Sequence, residues 1–495
     1  MSDGSGDDAE CGEADVPADW NDRDGARVHV FVKRIGNVAA PTQMWMLNGG
    51  PGASGADFEP IAERFSRDGS LVFYLPDHRG TGRSSRVGCA AENDASPGGF
   101  AITDEEWGAC EAELRSVNLD AFTTTQAARD LAWAIDDSHR EGQTVHVWGG
   151  SYGTRWAQRY LQVRPDQATS VTLMGTVTAT RSTVDYDAIF DRVGREFLAR
   201  CSRDPYCGSR LGTRAQEIWD ALDAGLCAEA ELDKPMLRSF FAALLLSSWY
   251  ERALIPATLY RLGRCNAGDV AALQYLGWLL RQPTTPSTAD RLHSRLLGLQ
   301  IDINEMWPTD PPSLAQLQAD VDATIISPAS SVRIAERVAT WPSRHPLDEY
   351  AGAYPDAALP VLVVNGEYDP ATPIDHAREV ASHYANATLL VGPDATHSFV
   401  TPTRRASWCF MDAVLQFARM PSAPLDCTAD MLAMDFRGTP ELAAYFGTTD
   451  LWDGGPSLQA IAPPLGIDEL RRLVNDGAAS TDGVDVAARR DRDAE

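Results

Sequence analysis

Over the first 179 residues, short apolar runs that end in Gly, Pro or Asp alternate with helix-like segments, and this rhythm restricts the fold more than any other feature. "RVHVFVKRI", "MWML" and "LVFYLP" read as strands. "TTTQAARDLAWAIDDSHR" puts Leu131, Ala132 and Ile135 on one helical face, with threonines available as caps. "TVHVWGG" then reads as a strand, "SYGTRWAQRYLQV" as a helix and "TSVTLMG" as a strand. Such alternation predicts an α/β fold with a mostly parallel sheet flanked by helices.

The rhythm breaks near Thr180. From there to Pro346, segments such as "FDRVGREFLARC", "SFFAALLLSSWYERALI", "VAALQYLGWLLRQ" and "ADRLHSRLLGLQ" read as successive helices with no convincing strand. Alternation resumes with "PVLVVNG", "IDHAREVASHY" and "ATLLVGP", then a helix "SWCFMDAVLQFARM". The expected division is a core segment over 1–179, an inserted helical cap or lid over 180–346, a second core segment over 347–430 and an extension over 431–475. The tail 476–495 is polar and rich in small residues, and reads as disordered.

With 44% hydrophobic and 23% charged residues, 495 residues can bury a large core. Seventy acids against 43 bases give a formal charge of −27, which argues against nucleic acid or an anionic membrane surface as partner. The longest apolar run, "FFAALLLSSWY", is too short for a transmembrane segment. The start, "MSDGSGDDAE", has neither the basic nor the apolar region of an export signal, and its acidic, small-residue character suits a chain whose signal has been removed. Nine cysteines form no C-x-x-C and no zinc-spaced cluster, so no metal is expected. They group as Cys89 with Cys110, Cys201 with Cys207, Cys227 with Cys265 and Cys409 with Cys427, which leaves Cys11 over. Bonded pairs imply an oxidising compartment, hence a secreted, periplasmic or envelope protein; buried free thiols are the alternative. The chain is expected to act as a monomer.

One stretch suggests a different chemistry. In "LNGGPGASG", Gly50, Gly52 and Gly55 come after a strand in G-x-G-x-x-G spacing, and Asp77 closes the next strand, as in a dinucleotide-binding unit. Pro51 interrupts those glycines, however, and the next segment, "ADFEPIAERF", opens with two acids that would repel a pyrophosphate. Asp77 also runs straight into a second glycine loop, "HRGTGRSS". No cofactor is expected.

"WGGSYGT" offers another explanation. Gly149, Ser151 and Gly153 form G-x-S-x-G between the strand "TVHVW" and a helix, the setting of a sharp turn that exposes a serine nucleophile. A serine hydroxyl needs a base, and the base needs an orienting acid. After the helical block, "PVLVVNGEYDPATP" places Asp369 just beyond a strand and "ATLLVGPDATHS" places His397 beyond the next. His376 and His383 lie on the helix between and read as structural; Glu367 and Asp394 are weaker acid candidates than Asp369, which precedes Pro370 at the turn. Acyl transfer also needs backbone donors facing the serine. The "NGG" loop supplies them through Gly49 and Gly50, together with the N–H of Tyr152.

Taken in order, "NGGPG", "DHRGTGRSS", "GGSYGT", "NGEYDPATP" and "ATHS" resemble the proline iminopeptidase and tripeptidyl aminopeptidase branch of the α/β-hydrolases, from about Cys11 to Cys427. The resemblance implies an α/β-hydrolase fold with a helical cap and a secreted or envelope exopeptidase acting at a free peptide N-terminus. It assigns Ser151, Asp369 and His397 as the triad, with Gly49 and Tyr152 as oxyanion donors. Cys409 and Cys427 fall where similar secreted members carry a C-terminal pair. Asn48 departs from the pattern, since iminopeptidases carry His there.

Three functions remain open: a serine aminopeptidase of peptides, a carboxylesterase or amidase acting on small esters or amides, and a non-catalytic binding protein on the same fold. An aminopeptidase must offer a carboxylate to the substrate's ammonium. Glu305 in "LQIDINEMWP", among Ile303, Met306 and Trp307, is the candidate. The alternative for Glu305 is to cap a helix or pair with an arginine.

Overall fold

The computed structural model describes residues 9–97, 99–247, 250–282, 288–397, 405–423, 425, 434–456 and 467–475. Eight strands form one sheet: β1 (Ala9–Asp19), β2 (Asp22–Ile35), β3 (Thr42–Leu47), β4 (Leu71–Asp77), β5 (Thr144–Gly150), β6 (Ser170–Met174), β7 (Val361–Gly366) and β8 (Ala387–Gly392). Their order is β1-β2-β4-β3-β5-β6-β7-β8. β2 pairs antiparallel with β1 and β4; every pairing from β4 to β8 is parallel. The order reverses between β3 and β5, whose ends meet with Leu47 opposite Gly149. A crevice outside such a reversal is where α/β folds bind ligands.

Strand periodicity divides the core into two layers. Trp45 and Leu47 of β3 face one cluster with Ala128, Leu131 and Ile135 of the helix Thr124–Ser138. Met44 and Met46, one residue out of phase, face the other cluster with Phe410, Val414 and Phe417 of the helix Arg405–Arg419. The predicted central strands and flanking helices are present. β1 is an addition: its sequence "AECGEADVPAD" buries only Val16, Pro17 and Ala18, so it lacks the alternation that announces a strand, and it is held by pairing with β2 and by Arg79 at its C-terminal end.

Between β6 and β7 the described residues form helices and turns, as expected of the insertion. Their apolar residues make a separate core that includes Phe190, Phe197 and Phe240. The C-terminal extension packs into that same core through Phe436, Tyr445, Phe446 and Trp452. Arg261, fully buried in the insertion, donates to the carbonyls of Asp450, Leu451, Asp453 and Gly454. The extension is thus fastened to the insertion. The tail 476–495 lies outside the described residues.

Two expected helices are broken. "SFFAALLLSSWYERALI" divides into Lys234–Ser247 and Leu254–Arg264, and the join turns Arg252 inward to donate to the Asp394 carbonyl. "ADRLHSRLLGLQ" divides at His293 and Ser294 into Thr288–Leu292 and Arg295–Ile301. There the Ser294 N–H donates to the Gly52 carbonyl at 2.9 Å, and the Ser294 hydroxyl caps the second helix through Leu297 N–H at 2.9 Å. A Cβ on Gly52 would lie 2.1 Å from Ser294 O. Gly52 is glycine because the insertion crosses the core at that point.

Disulfides join Cys89 to Cys110, Cys201 to Cys207 and Cys227 to Cys265. Cys409 is disulfide-bonded, and Cys427, its expected partner, lies outside the described residues. Cys11 is a free, exposed thiol. No helix among the described residues is long and apolar enough to cross a membrane.

Candidate active site

Ser151 stands between β5 and the helix Tyr152–Val163 with φ 51°, in the left-handed region that a non-glycine residue occupies only at a cost. Its N–H donates to Met174 O at the end of β6, at 2.9 Å. The flanking glycines permit the turn: a Cβ on Gly149 would lie 2.3 Å from Gly153 O, and one on Gly153 would lie 2.1 Å from Leu47 O. β3, β5 and the helix are packed backbone to backbone around the serine.

Asp369 comes just after β7 and is fully buried. Its Oδ1 accepts the N–H groups of Ala371 and Thr372 at 2.9 and 2.8 Å, and its Oδ2 accepts the Thr372 hydroxyl at 2.8 Å. His397 Nδ1 lies 2.7 Å from the same Oδ2. That bond directs Nδ1–H to the carboxylate and leaves Nε2 as the proton-accepting nitrogen. A Cβ on Gly175 would lie 3.0 Å from His397 Cε1, so the imidazole rests on the backbone next to the Met174 carbonyl that holds Ser151. Asp369 and His397 are thus brought together from the loops after β7 and β8, and Ser151 stands at the end of β5. Sequence reasoning missed Thr372, although "DPAT" carries the signal of an aspartate capping its own turn.

The competing candidates have other work. Asp394 accepts Met434 N–H at 3.1 Å and pairs with Arg200, Glu367 accepts Asp394 N–H at 3.2 Å, and His383 stacks on Tyr354. His376 is held neutral by burial, its pKa lowered to about 4.

The glycine loop after β3 is fastened by two side chains. Asn48 Nδ2 donates to Ser54 O and Asp57 Oδ2 at 2.6 and 2.8 Å, while its Oδ1 accepts Gly49 N–H at 2.7 Å. Asp77 accepts from the Ser54 hydroxyl, Gly55 N–H and Arg83 N–H at 2.6, 2.8 and 2.8 Å. Asp77 thus ties one glycine loop to the next, where a dinucleotide-binding acid would hold a ribose. Tyr152 begins the helix after the serine, and its hydroxyl meets Thr124 Oγ1 at 2.8 Å and His78 Nε2 at 3.2 Å.

A cavity of about 450 Å³ opens over Ser151, lined from the core by Gly50, Tyr152 and Thr372 and from the insertion by Leu296, Leu299 and Met306. Its size suits a small ligand. Glu305 does not line it. Its Oε1 accepts Thr124 N–H at 2.7 Å, at the start of the helix Thr124–Ser138, and its Oε2 lies 3.7 Å from Arg155 Nε. Glu305 therefore caps a helix and pairs with an arginine, the second of the two roles open to it. Asp302, one turn earlier, lines the cavity instead. The segment Asp302–Met306 is a π-helical turn, and its wider spacing sends the two acids to different surroundings. Burial raises the Asp302 pKa to about 7, with Arg181 and Arg155 opposing the rise and Glu305 adding to it. Helical spacing alone would not have separated these two acids.

The chain is 25% identical over 448 residues to the tripeptidyl aminopeptidases of Streptomyces lividans and Streptomyces coelicolor, covering 79% of this chain and 78% of each relative. Among solved structures, the proline iminopeptidase of Mycobacterium smegmatis aligns with a TM-score of 0.40 and 13% identity over 83% of this chain and all of that one. An esterase from Exiguobacterium antarcticum aligns with a TM-score of 0.35 and 15% identity, over 79% of this chain and 96% of that one. The sequence profile of the α/β hydrolase fold matches residues 44–400, a span that includes the glycine loop, the serine turn and the loops of Asp369 and His397. The chain belongs to the α/β-hydrolase family.

Proposed function

We propose that this protein is a serine hydrolase that cleaves peptide bonds near a free N-terminus. One observation supports the reading: the 2.7 Å bond from His397 to a buried, fully satisfied Asp369, whose partner Thr372 lines the same cavity as a serine held in a strained turn. Ser151 Oγ attacks the scissile carbonyl as His397 Nε2 takes its proton, and Asp369 stabilises the imidazolium. The oxyanion is received by backbone N–H groups of the Gly49–Gly50 loop and of Tyr152; Gly50 and Tyr152 both line the cavity. The N–H of Gly49, also expected there, donates to Asn48 Oδ1, which fixes the loop's peptide plane. His397 then protonates the leaving amine, and water, deprotonated by the same imidazole, hydrolyses the acyl-enzyme.

The peptidase assignment is supported by the activity named for the two Streptomyces relatives. Three disulfides support an extracytoplasmic setting. A panel of fluorogenic mono-, di- and tripeptide substrates, each with a free or acetylated N-terminus, tests the reading. Cleavage restricted to free amines is expected. Indifference to acetylation, with fast hydrolysis of short esters, would make the protein an esterase.

A further inference from the structure

Two groups of opposite charge lie in the wall of the Ser151 cavity without partners. Among the described residues, Asp302 makes no hydrogen bond or ion pair through its carboxylate. Arg181 is only 8% exposed, lines the same cavity, and has no hydrogen-bond partner at either Nη1 or Nη2. Its guanidinium carbon lies 5.0 Å from the centroid of the Tyr186 ring, a contact that supplies no acceptor oxygen. Each group acts on the other's ionisation through space, yet they form no ion pair.

Other buried arginines in this chain are treated differently. Arg79 is paired with Asp130 and donates to the carbonyls of Pro17, Ala18 and Ala121. Arg261 is paired with Asp269 and donates to four further carbonyls. A buried guanidinium without acceptors forfeits its hydration for nothing within the folded chain, and the half-buried Asp302 carboxylate beside it is left to the cavity. A ligand that brings both an ammonium and a carboxylate would satisfy both groups.

Building on the peptidase reading, we propose that Asp302 and Arg181 together recognise a zwitterionic short peptide, the α-ammonium at Asp302 and a substrate carboxylate at Arg181. The planar guanidinium suits a carboxylate by accepting it in a paired, two-bond geometry. That carboxylate comes either from the peptide's C-terminus or from an acidic side chain, and the chemistry at Arg181 is the same. The apolar lining of the same cavity, including Leu299 and Met306, takes the rest of the peptide.

The test measures binding apart from turnover. Ser151→Ala protein is titrated calorimetrically with tri-alanine, its C-terminal amide, its N-acetyl form, and the amidated pair Glu-Ala-Ala and Gln-Ala-Ala. Tri-alanine is expected to bind at least tenfold more tightly than the N-acetyl form, a preference that Asp302→Asn abolishes. A carboxylate preference of similar size is expected in one of two places. Loss of affinity on amidating tri-alanine identifies the C-terminus, and a Glu-over-Gln preference identifies a side chain. Arg181→Met should erase whichever preference is present, and Arg181→Lys should restore part of it. Affinities indifferent to both charges, or an Arg181→Met variant that weakens acid and amide ligands equally, would overturn the proposal. Failure of the wild type to cleave any peptide, with charge-dependent binding intact, would instead remove the peptidase reading and leave the recognition site standing.

Discussion

Glu305 reaches from the inserted helical region to the core and accepts the backbone N–H of Thr124 at 2.7 Å. Thr124 in turn bonds the Tyr152 hydroxyl through its own side chain, so the insertion is joined to the residue next to the nucleophile by two successive contacts. Glu305 is also 3.7 Å from Arg155, on the helix that Tyr152 begins. Its acid thus holds the floor of the site.

Glu305→Gln keeps an acceptor for Thr124 N–H and should lose little more than the contact with Arg155. Glu305→Ala removes both and leaves a buried arginine unpaired, at a cost to stability of about 2–4 kcal/mol. In both variants kcat/KM for a free-amine peptide and for a small neutral ester should fall in the same proportion. A loss confined to the amine substrate would return Glu305 to the role of ammonium anchor.

Ser151→Ala should abolish turnover while leaving the urea midpoint within error of the wild type, because the hydroxyl makes no capping bond to the helix it precedes. His397→Ala and Asp369→Asn should each lower kcat by about 10⁴-fold or more, and the triple variant should be hardly worse than the worst single one. Substantial activity in purified Ser151→Ala protein would remove the mechanism.

Much of this arrangement was legible in sequence because the local rules and the global fold agree there. The glycines around Ser151 are required by backbone contacts to β3 and to the helix that Tyr152 opens, so the motif and the packing are one fact. Ser151, Asp369 and His397 follow β5, β7 and β8, which lie in chain order along one half of the sheet. What escaped depends on side-chain direction or on contacts between distant segments. Glu305 and Asp302 share one apolar stretch, and only the π-helical turn separates their surroundings. Gly52 reads as part of a glycine fingerprint until Ser294, more than two hundred residues later, is seen to cross it. β1 carries no alternation to reveal it, because it is an edge strand with a mostly exposed, acidic sequence.

The three described disulfides should contribute unequally. They close separations of 6, 21 and 38 residues, for which loop-closure entropy gives about 2, 3 and 4 kcal/mol respectively. Replacing both members of Cys227–Cys265 with alanine should therefore lower the urea midpoint most, and the Cys201–Cys207 pair least. Non-reducing peptide mapping of exported protein should recover all three pairs. Alkylated free thiols at these positions would overturn both the pairing and the extracytoplasmic setting.

Asp302 should make the folded chain less stable as pH rises. Its ordinary pKa is 3.8, and burial raises it to about 7 in the fold, with Arg181 and Arg155 pulling down and Glu305 pushing up. Between about pH 4 and pH 7 the unfolded chain has released this proton while the folded chain retains it. Folding therefore binds a proton over that window, and stability from this group declines with rising pH until both states are ionised. Asp302→Asn removes the titration. The variant should match the wild type near pH 4 and exceed it above pH 7, by an amount on the order of 1–3 kcal/mol. Loss of the carboxylate also removes one of the acidic groups that act on Arg181, after Tyr186 and Asp185, which trims the gain without reversing its sign. Urea unfolding of both proteins at pH 4.5 and pH 8 measures the difference. A variant less stable than the wild type at pH 8 would mean that the carboxylate is already satisfied within the chain. It would then have nothing left to offer an incoming ammonium.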